Sequence, residues 1–378
     1  MDSLFFTNLT NKYHDDIFRY RYRERVIFFM EYNEKIFGAL KPLIDDSDIT
    51  DINCNGRDVW VNHCMNGRYK VEDIEFTESN ILSLARQISN TENKQFNSVF
   101  PEMSADLGDL RFHFTHDTFS VSGCTVSIRK TPVMVRINSD TMKHGNVEYL
   151  SDKARKLLES IIHAKMNTVI CGLTGSGKTE LVKWMMKFTL DSDRIITIED
   201  TSELHLAEIY PTKDIVELKI NENINYEESI KACMRMLPTW LLLSESRGPE
   251  VKDLLKSIST GGKICTTLHA DNAHQIPTRI LNMFEDNELD NNKIENMIYD
   301  LIDIGVHIRA SFNKKTIRYV DQIVYFEMDN NGNRLCHEIY NVKKDKNGEY
   351  QYIYHTMPKS LKEKLEYEGI YIADDWLR

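Results

Sequence analysis

Residues 172–179 read Gly172-Leu173-Thr174-Gly175-Ser176-Gly177-Lys178-Thr179, which satisfies the pattern G-x-x-x-x-G-K-[ST] with a third glycine inside it. Glycines at this spacing let backbone N–H groups turn inward around phosphate oxygens, and a helix opening behind the loop adds its positive dipole end. Lys178 is placed to reach β- and γ-phosphates, the Thr179 hydroxyl to ligate Mg²⁺, and Glu180 behind them is expected among the nucleotide-binding residues. A glycine-rich turn with an exposed lysine is the other reading, but it leaves the flanks unexplained. Thr168-Val169-Ile170-Cys171 is a β-prone apolar run, and Leu181, Trp184, Met185 and Phe188 recur at helical spacing after the loop. Strand, loop and helix in that order are what a nucleoside triphosphate site requires. A dinucleotide-binding oxidoreductase is excluded, because Gly175-Ser176-Gly177 runs into Lys178-Thr179-Glu180 and lacks the third glycine of that fingerprint.

Binding alone does not separate a hydrolase from a sensor or a kinase; hydrolysis needs a carboxylate near Mg²⁺ and the attacking water. Two apolar runs deliver one. Ile195-Ile196-Thr197-Ile198 leads into Glu199-Asp200, and Leu241-Leu242-Leu243-Ser244 leads into Glu245. The expected division of labour has Glu245 orienting or deprotonating water, with Glu199 holding Mg²⁺ through water or polarising the nucleophile. Thr266-Thr267-Leu268 ends on His269. Taken singly, strand-ending acids are ordinary surface residues and a histidine is usually structural. Their common placement at strand ends, where ligands of open α/β sheets sit, is what points to a site.

The elements that must hold these residues alternate. Thr168–Cys171, Arg194–Ile198, Trp240–Leu243 and Lys263–Leu268 read as buried strands. Between them Ile230, Cys233, Met234 and Leu237, then Val251, Leu254, Leu255 and Ile258, recur as helical faces. This predicts an α/β domain with a mostly parallel sheet and helices on both faces. The chain after it returns to strands at Val306–Phe312, Ile317–Met328 and Leu335–Val342, with an Asn331-Gly332 turn. Ahead of it, Val59–Val61 and Tyr69–Val71 flank an Asn66-Gly67 hairpin turn. A helix after Thr77 is expected to bury Ile81, Leu84, Ala85 and Ile88, with strands at Leu110–Phe114 and Thr125–Arg129. The expected organisation is a helical N-terminal appendage (1–47), a smaller α+β domain (48–137), a linker (138–147), the nucleotide domain (148–345) and a tail (346–378) ending in a charged helix.

Composition sets the class. With 378 residues, 41% hydrophobic and 28% charged, the chain is globular and long enough for two cores. A net charge of −11 argues against a general nucleic-acid binder, so no stable nucleic-acid partner is expected. Arg19, Arg21, Arg23 and Arg25 alternate near the start, as a solvated face or a local basic surface. No apolar run approaches a membrane span, the first residues carry no secretory pattern, and seven scattered cysteines lack any C-x-x-C. A cytoplasmic protein without a recognisable zinc or redox motif is expected, touching membranes only peripherally or through a partner.

Four ordered segments then carry a resemblance. Gly172–Thr179, Thr197-Ile198-Glu199-Asp200-Thr201-Ser202-Glu203-Leu204, Ser244-Glu245-Ser246-Arg247-Gly248, and Ser259-Thr260-Gly261-Gly262 with Thr267-Leu268-His269-Ala270 resemble the Walker A, Asp box, Walker B and His box of the type II/type IV secretion traffic ATPases. Within that family the chain is most similar to tight-adherence (Flp) pilus and conjugation-type motors, over roughly residues 48–345. The resemblance implies a RecA-like P-loop NTPase domain using ATP and Mg²⁺, in a hexameric ring that drives an inner-membrane platform protein. It matches Glu245, Glu199 and His269 to the catalytic motifs. It also matches Arg111 and Arg129 to N-domain arginines that approach the nucleotide, and Arg247 and Arg279 to positions of the Walker B and His-box segments. Departures are Leu237-Pro238-Thr239-Trp240 where the family reads Arg-Pro-Asp-Arg, Ser244 for glycine before the Walker B glutamate, and Gly262 for histidine. They bear on turnover, not on nucleotide binding. Two other readings stay open: a ring-shaped nucleic-acid translocase and a non-hydrolysing, nucleotide-dependent secretion scaffold.

Overall fold

The computed structural model describes residues 36–138, 143–144, 147–221, 223–259, 261–284, 290–312 and 316–372. The Arg19–Arg25 stretch, most of the expected N-terminal appendage and the last six residues lie outside the described residues. The chain divides into two compact units between Thr131 and Pro132, ahead of the stretch expected to link them. Pro132–Arg136 packs with the second unit: Lys183 Nζ donates to Pro132 O at 3.0 Å, and Arg136 N–H donates to Glu180 Oε2 at 3.0 Å.

The first unit is an antiparallel sheet covered by a helix. Its strands are β1 (Ile49–Cys54), β2 (Val59–His63), β3 (Gly67–Val71), β4 (Glu102–Leu107), β5 (Leu110–Thr115) and β6 (Thr125–Lys130), in the order β3-β2-β1-β6-β5-β4. The expected hairpin is present, with Val59 opposite Val71 and Val61 opposite Tyr69. Gly67 takes φ +72°, a left-handed conformation that glycine adopts without a Cβ penalty. β5 alternates buried Leu110, Phe112 and Phe114 with half-buried Arg111 and His113, the period-2 pattern of a strand with one face on the core. The helix Glu78–Thr91 starts at a Thr77/Asn80 capping box and buries Ile81, Leu84, Ala85 and Ile88, as the sequence predicts.

The second unit is built on nine strands: β9 (Thr168–Gly172), β10 (Arg194–Glu199), β11 (Asp214–Lys219), β12 (Trp240–Leu243), β13 (Lys263–Leu268), β14 (Ile304–Phe312), β15 (Thr316–Met328), β16 (Arg334–Lys344) and β17 (Tyr350–Tyr354). The short strands β7 (Lys143–His144) and β8 (Val147–Glu148) pair separately. The order is β11-β10-β12-β13-β9-β14-β15-β16-β17. The six strands from β11 to β14 run parallel, and β14 through β17 pair antiparallel. Both faces of the parallel part are covered. Trp240 and Leu242 of β12 join one core with Leu157, Leu181 and Val306, while Leu241 and Leu243 join the opposite core with Leu254, Ile264 and Ile276. Burial on both sides is why these strands read as unbroken apolar runs. The fold is thus an α/β P-loop NTPase architecture preceded by a smaller α+β unit.

Two expectations change. The helix expected to continue through Leu237 spans Tyr226–Cys233, and Leu237 lies 84% exposed at φ +53°. Pro238 disfavours helical geometry at the residue before it, so the periodic signal overruns the helix. Beyond 345, β17 adds a ninth strand, and the helix Lys359–Tyr367 buries Leu361 and Leu365 in the second unit's core. What reads as a charged tail is amphipathic, with Lys364 Nζ held 2.7 Å from Asp303 Oδ1.

Candidate nucleotide site

The sheet gathers the chemical residues along the C-terminal ends of its parallel strands. β9 ends at Gly172, β10 at Glu199, β12 just before Ser244 and Glu245, and β13 just before His269. β9 lies between β13 and β14, with Gly172 opposite Ile308. That neighbour fixes the residue type. A Cβ on Gly172, which takes φ +149°, would meet Ile308 O at 2.5 Å and Ser176 Oγ at 2.8 Å. Gly175 and Gly177, at φ +75° and +95°, complete the loop, and the helix Lys178–Met186 opens directly behind it.

Lys178, His269, Glu245 and Arg247 form one contact chain. Lys178 Nζ donates to Gly172 O at 3.0 Å and Leu173 O at 3.1 Å, and lies 3.4 Å from His269 Nδ1. His269 Nδ1 is also 3.1 Å from Gly172 O, and its Nε2 stands 2.8 Å from Glu245 Oε1, a charge contact that is not aligned as a hydrogen bond. Arg247 Nη2 donates to Glu245 Oε2 at 2.7 Å. Burial pushes the Glu245 carboxyl upward, but the Arg247 hydrogen bond and the charges of Arg247, His269 and Lys178 outweigh it and leave the group below the usual carboxylate range. Burial lowers the Lys178 ammonium against the opposing pull of Glu245 and Glu203. A site holding an ionised carboxylate beside a half-desolvated lysine is arranged for anion chemistry. The loop fits a polyphosphate on its own evidence: Ser176 Oγ is buried with no hydrogen-bond partner among the described residues.

The remaining expected residues separate. Thr179 Oγ1 donates to Glu203 Oε2 at 3.2 Å, so the carboxylate beside the P-loop hydroxyl is Glu203. Glu199 is 2% exposed, and its Oε1 accepts from the backbone N–H groups of Glu203 and Leu204, both at 3.2 Å. Desolvation drives its pKa up to about 8. Its two acceptances from the main chain shape the loop carrying Glu203. Glu180 accepts from Arg136 N–H at 3.0 Å and from Lys183 Nζ at 3.3 Å. Leu173, Thr174 and Gly175 are exposed at the loop crest. Arg279 Nε donates to His269 O at 2.9 Å. Arg111 and Arg129 are cross-strand partners on β5 and β6 of the first unit, where Arg129 Nε donates to Asp51 Oδ1 at 3.1 Å.

Sequence reasoning missed Arg318 and Phe312. Arg318 Nε donates to Gly175 O at 2.9 Å, and its guanidinium lies 5.8 Å from the Phe312 ring centroid. Both belong to the β14–β15 hairpin, whose only sequence signal is strand periodicity. Its closeness to the loop follows from the β9–β14 register.

The raised pKa of the buried Glu199 has a measurable consequence. A carboxyl whose folded pKa is raised contributes stability that is complete below the unfolded value of 4.5 and is lost progressively as pH rises toward about 8. Urea denaturation across that window should show the wild type losing a few kcal/mol relative to Glu199→Gln, whose carbonyl keeps an acceptor for the two N–H groups. Parallel pH profiles for the two proteins would refute the assignment.

The profile of the family described as Type II/IV secretion system protein matches residues 102–355. An uncharacterised protein of Bacillus anthracis is 26% identical over 341 residues, covering 87% of this chain and 75% of its own. The type IV secretion system protein VirB11 of Brucella suis is 25% identical over 325 residues, covering 76% and 88%. The crystal structure of the pilus retraction motor PilT with bound ADP superposes with a TM-score of 0.53 at 18% identity, covering 89% of this chain and 87% of that one. The last likeness is one of fold. The profile match spans well over half of the chain, which belongs to the Type II/IV secretion system protein family.

Proposed function

We propose that the chain is an ATP-hydrolysing motor of a type II/IV-like secretion or tight-adherence pilus assembly system. The observation that carries this reading is the contact chain from the P-loop lysine through His269 to the strand-end carboxylate Glu245. Lys178 exchanges its carbonyl partners Gly172 O and Leu173 O for the substrate's phosphate oxygens, joined by loop N–H groups and the Ser176 hydroxyl. Glu245, ionised and braced by Arg247 and His269, orients the attacking water. His269 connects this carboxylate to the main chain of the loop, so the position of Lys178 is felt at Glu245. Thr179 and Glu203 are the residues that would hold Mg²⁺, which when bound neutralises charge developing on the phosphates. Glu199 keeps the Glu203 loop in place through its two backbone acceptances.

Among the described residues no helix is long and apolar enough to cross a membrane. Work on a membrane system would then pass through protein contact, and we assign the chain a peripheral place at the inner face of the membrane. There it would act as a homo-oligomeric ring, hexameric by family resemblance, against a platform protein. A net charge of −11 disfavours tracking along a phosphate backbone. The test measures ATPase activity with single- and double-stranded DNA and, separately, with the cytoplasmic part of a candidate platform protein. Basal Mg²⁺-dependent hydrolysis stimulated by the platform fragment is expected. Stimulation by DNA alone would replace this reading with a translocase, and tight ATP binding without turnover would replace it with a scaffold.

A further inference from the structure

We propose that His116, Asp117 and Cys124, closed by Glu78, form a structural zinc(II) site in the first unit. The residues sit where three segments meet. His116 and Asp117 open the connection after β5, Cys124 closes it before β6, and Glu78 begins the helix Glu78–Thr91. One ligand atom from each of His116, Asp117 and Cys124 lies within 4.8 Å of the other two. Ligands on one tetrahedral zinc stand about 3.3–3.8 Å apart, so small side-chain shifts suffice to close the site. Sulfur, nitrogen and carboxylate oxygen together favour zinc over magnesium or calcium, which take oxygen donors.

Three details of the cluster point to a cation. The His116 Nδ1 and Asp117 Oδ1 atoms approach to 2.6 Å, a distance that two lone-pair atoms reach only with a proton or a cation between them. Thr118 N–H and Thr118 Oγ1 lie 3.3 and 3.1 Å from the same Nδ1, so polar atoms crowd this ring nitrogen. The Cys124 side chain is only 1% exposed and lies beside the Glu78 carboxylate. Zinc binding at this thiol would displace its proton, so affinity would rise with pH. Glu78 in turn accepts the Cys124 backbone N–H at 2.9 Å. A zinc ion in this place ties the β5–β6 connection to the first turn of the helix, and so braces the two strands that carry Arg111 and Arg129. The ligands are spread over positions 78, 116, 117 and 124, which is why no C-x-x-C spacing announces them.

The test is a cobalt(II) titration of the full-length protein after chelator treatment, read by thiolate-to-cobalt charge transfer in the near ultraviolet and by zinc competition. One cobalt per chain is expected, displaced by zinc. Cys124→Ser should abolish the band and weaken zinc binding by at least about 100-fold. Cys64→Ser is the control, because Cys64 Sγ lies 3.4 Å from Asp48 Oδ1 beside a second cluster of Asp46, Asp48 and His63. It should leave the band intact. Should Cys124→Ser not fold, His116→Gln and Asp117→Asn serve in its place, each expected to keep native circular dichroism and lose at least about tenfold in zinc affinity. A folded wild type with no charge-transfer band at saturating cobalt overturns the site. So does a band that survives Cys124→Ser or disappears in Cys64→Ser.

Discussion

Glu245→Gln is expected to bind ATP with affinity within a few-fold of the wild type while kcat falls by roughly 10²–10⁴. The substitution keeps the size of the side chain and removes its charge. Nothing in the wild-type arrangement places Glu245 on the loop that would hold the phosphates; its partners are His269 Nε2 at 2.8 Å and Arg247 Nη2 at 2.7 Å. Ground-state binding therefore has little to lose. Orientation of the water has much, since an uncharged amide cannot be relied on to present an acceptor there. Stability should barely change, because Arg247 is two-thirds exposed and its ion pair is screened by solvent. Single-turnover hydrolysis and equilibrium nucleotide binding, measured on the same preparation, separate the two effects. Unchanged turnover would move the role to Glu203, the ionisable neighbour of Thr179.

The fold was legible where burial is simple. β9, β10, β12 and β13 are covered on both faces, so their sequences are continuous apolar runs; β12 and β13 have the expected ends, and β9 and β10 each run one residue further, to Gly172 and Glu199. The helix Glu250–Ser259 buries Val251, Leu254, Leu255 and Ile258, a clean helical stripe. Other elements carry mixed patterns. β11 exposes Asp214, Glu217 and Lys219 at the sheet's edge, and β17 forms the opposite edge with Gln351 exposed and four half-buried neighbours. Edge strands cover only part of their surface, so their period-2 signal fades into loop-like composition. Leu237 shows the converse failure, where a correct spacing meets a proline and the leucine faces solvent.

The site divides along the same line. Type and spacing name Gly172, Gly175, Gly177, Lys178, Glu245 and His269 as candidates, and the structure brings Lys178, His269 and Glu245 together beside the glycine loop. A residue placed by tertiary register is named by no local pattern. Arg318 reaches Gly175 O across more than a hundred residues of sequence, through a strand pairing that no local pattern encodes. The sequence points to Glu199, the acid that ends the strand, and gives Glu203 no role. The structure separates them by burial: Glu199 lies inside the protein, where desolvation raises its pKa, and Glu203 stands at the Thr179 hydroxyl. Spacing names the candidates, and burial tells them apart.

Lys178→Ala should weaken ATP binding ten- to a hundredfold while leaving the fold intact. The loss is that of a charge-assisted phosphate contact, on the order of 1.5–3 kcal/mol. The loop survives because it has other anchors. Gly172 O keeps its contact with His269 Nδ1 at 3.1 Å, Gly175 O keeps Arg318 at 2.9 Å, and Ser176 N–H still donates to Leu173 O at 3.1 Å. Removing a lysine whose charge is partly desolvated also relieves a cost, which offsets the lost hydrogen bonds. The melting temperature without nucleotide should therefore shift by no more than a few degrees. The variant also strips one stabilising charge from Glu245, whose carboxyl should move back toward the usual range, extending the acid limb of any residual ATPase activity to higher pH. Calorimetric titration with a non-hydrolysable ATP analogue reads the affinity, and a pH–rate profile reads the second effect. Wild-type affinity in Lys178→Ala would remove this loop as the phosphate site, and with it the contact chain from which the motor reading is built.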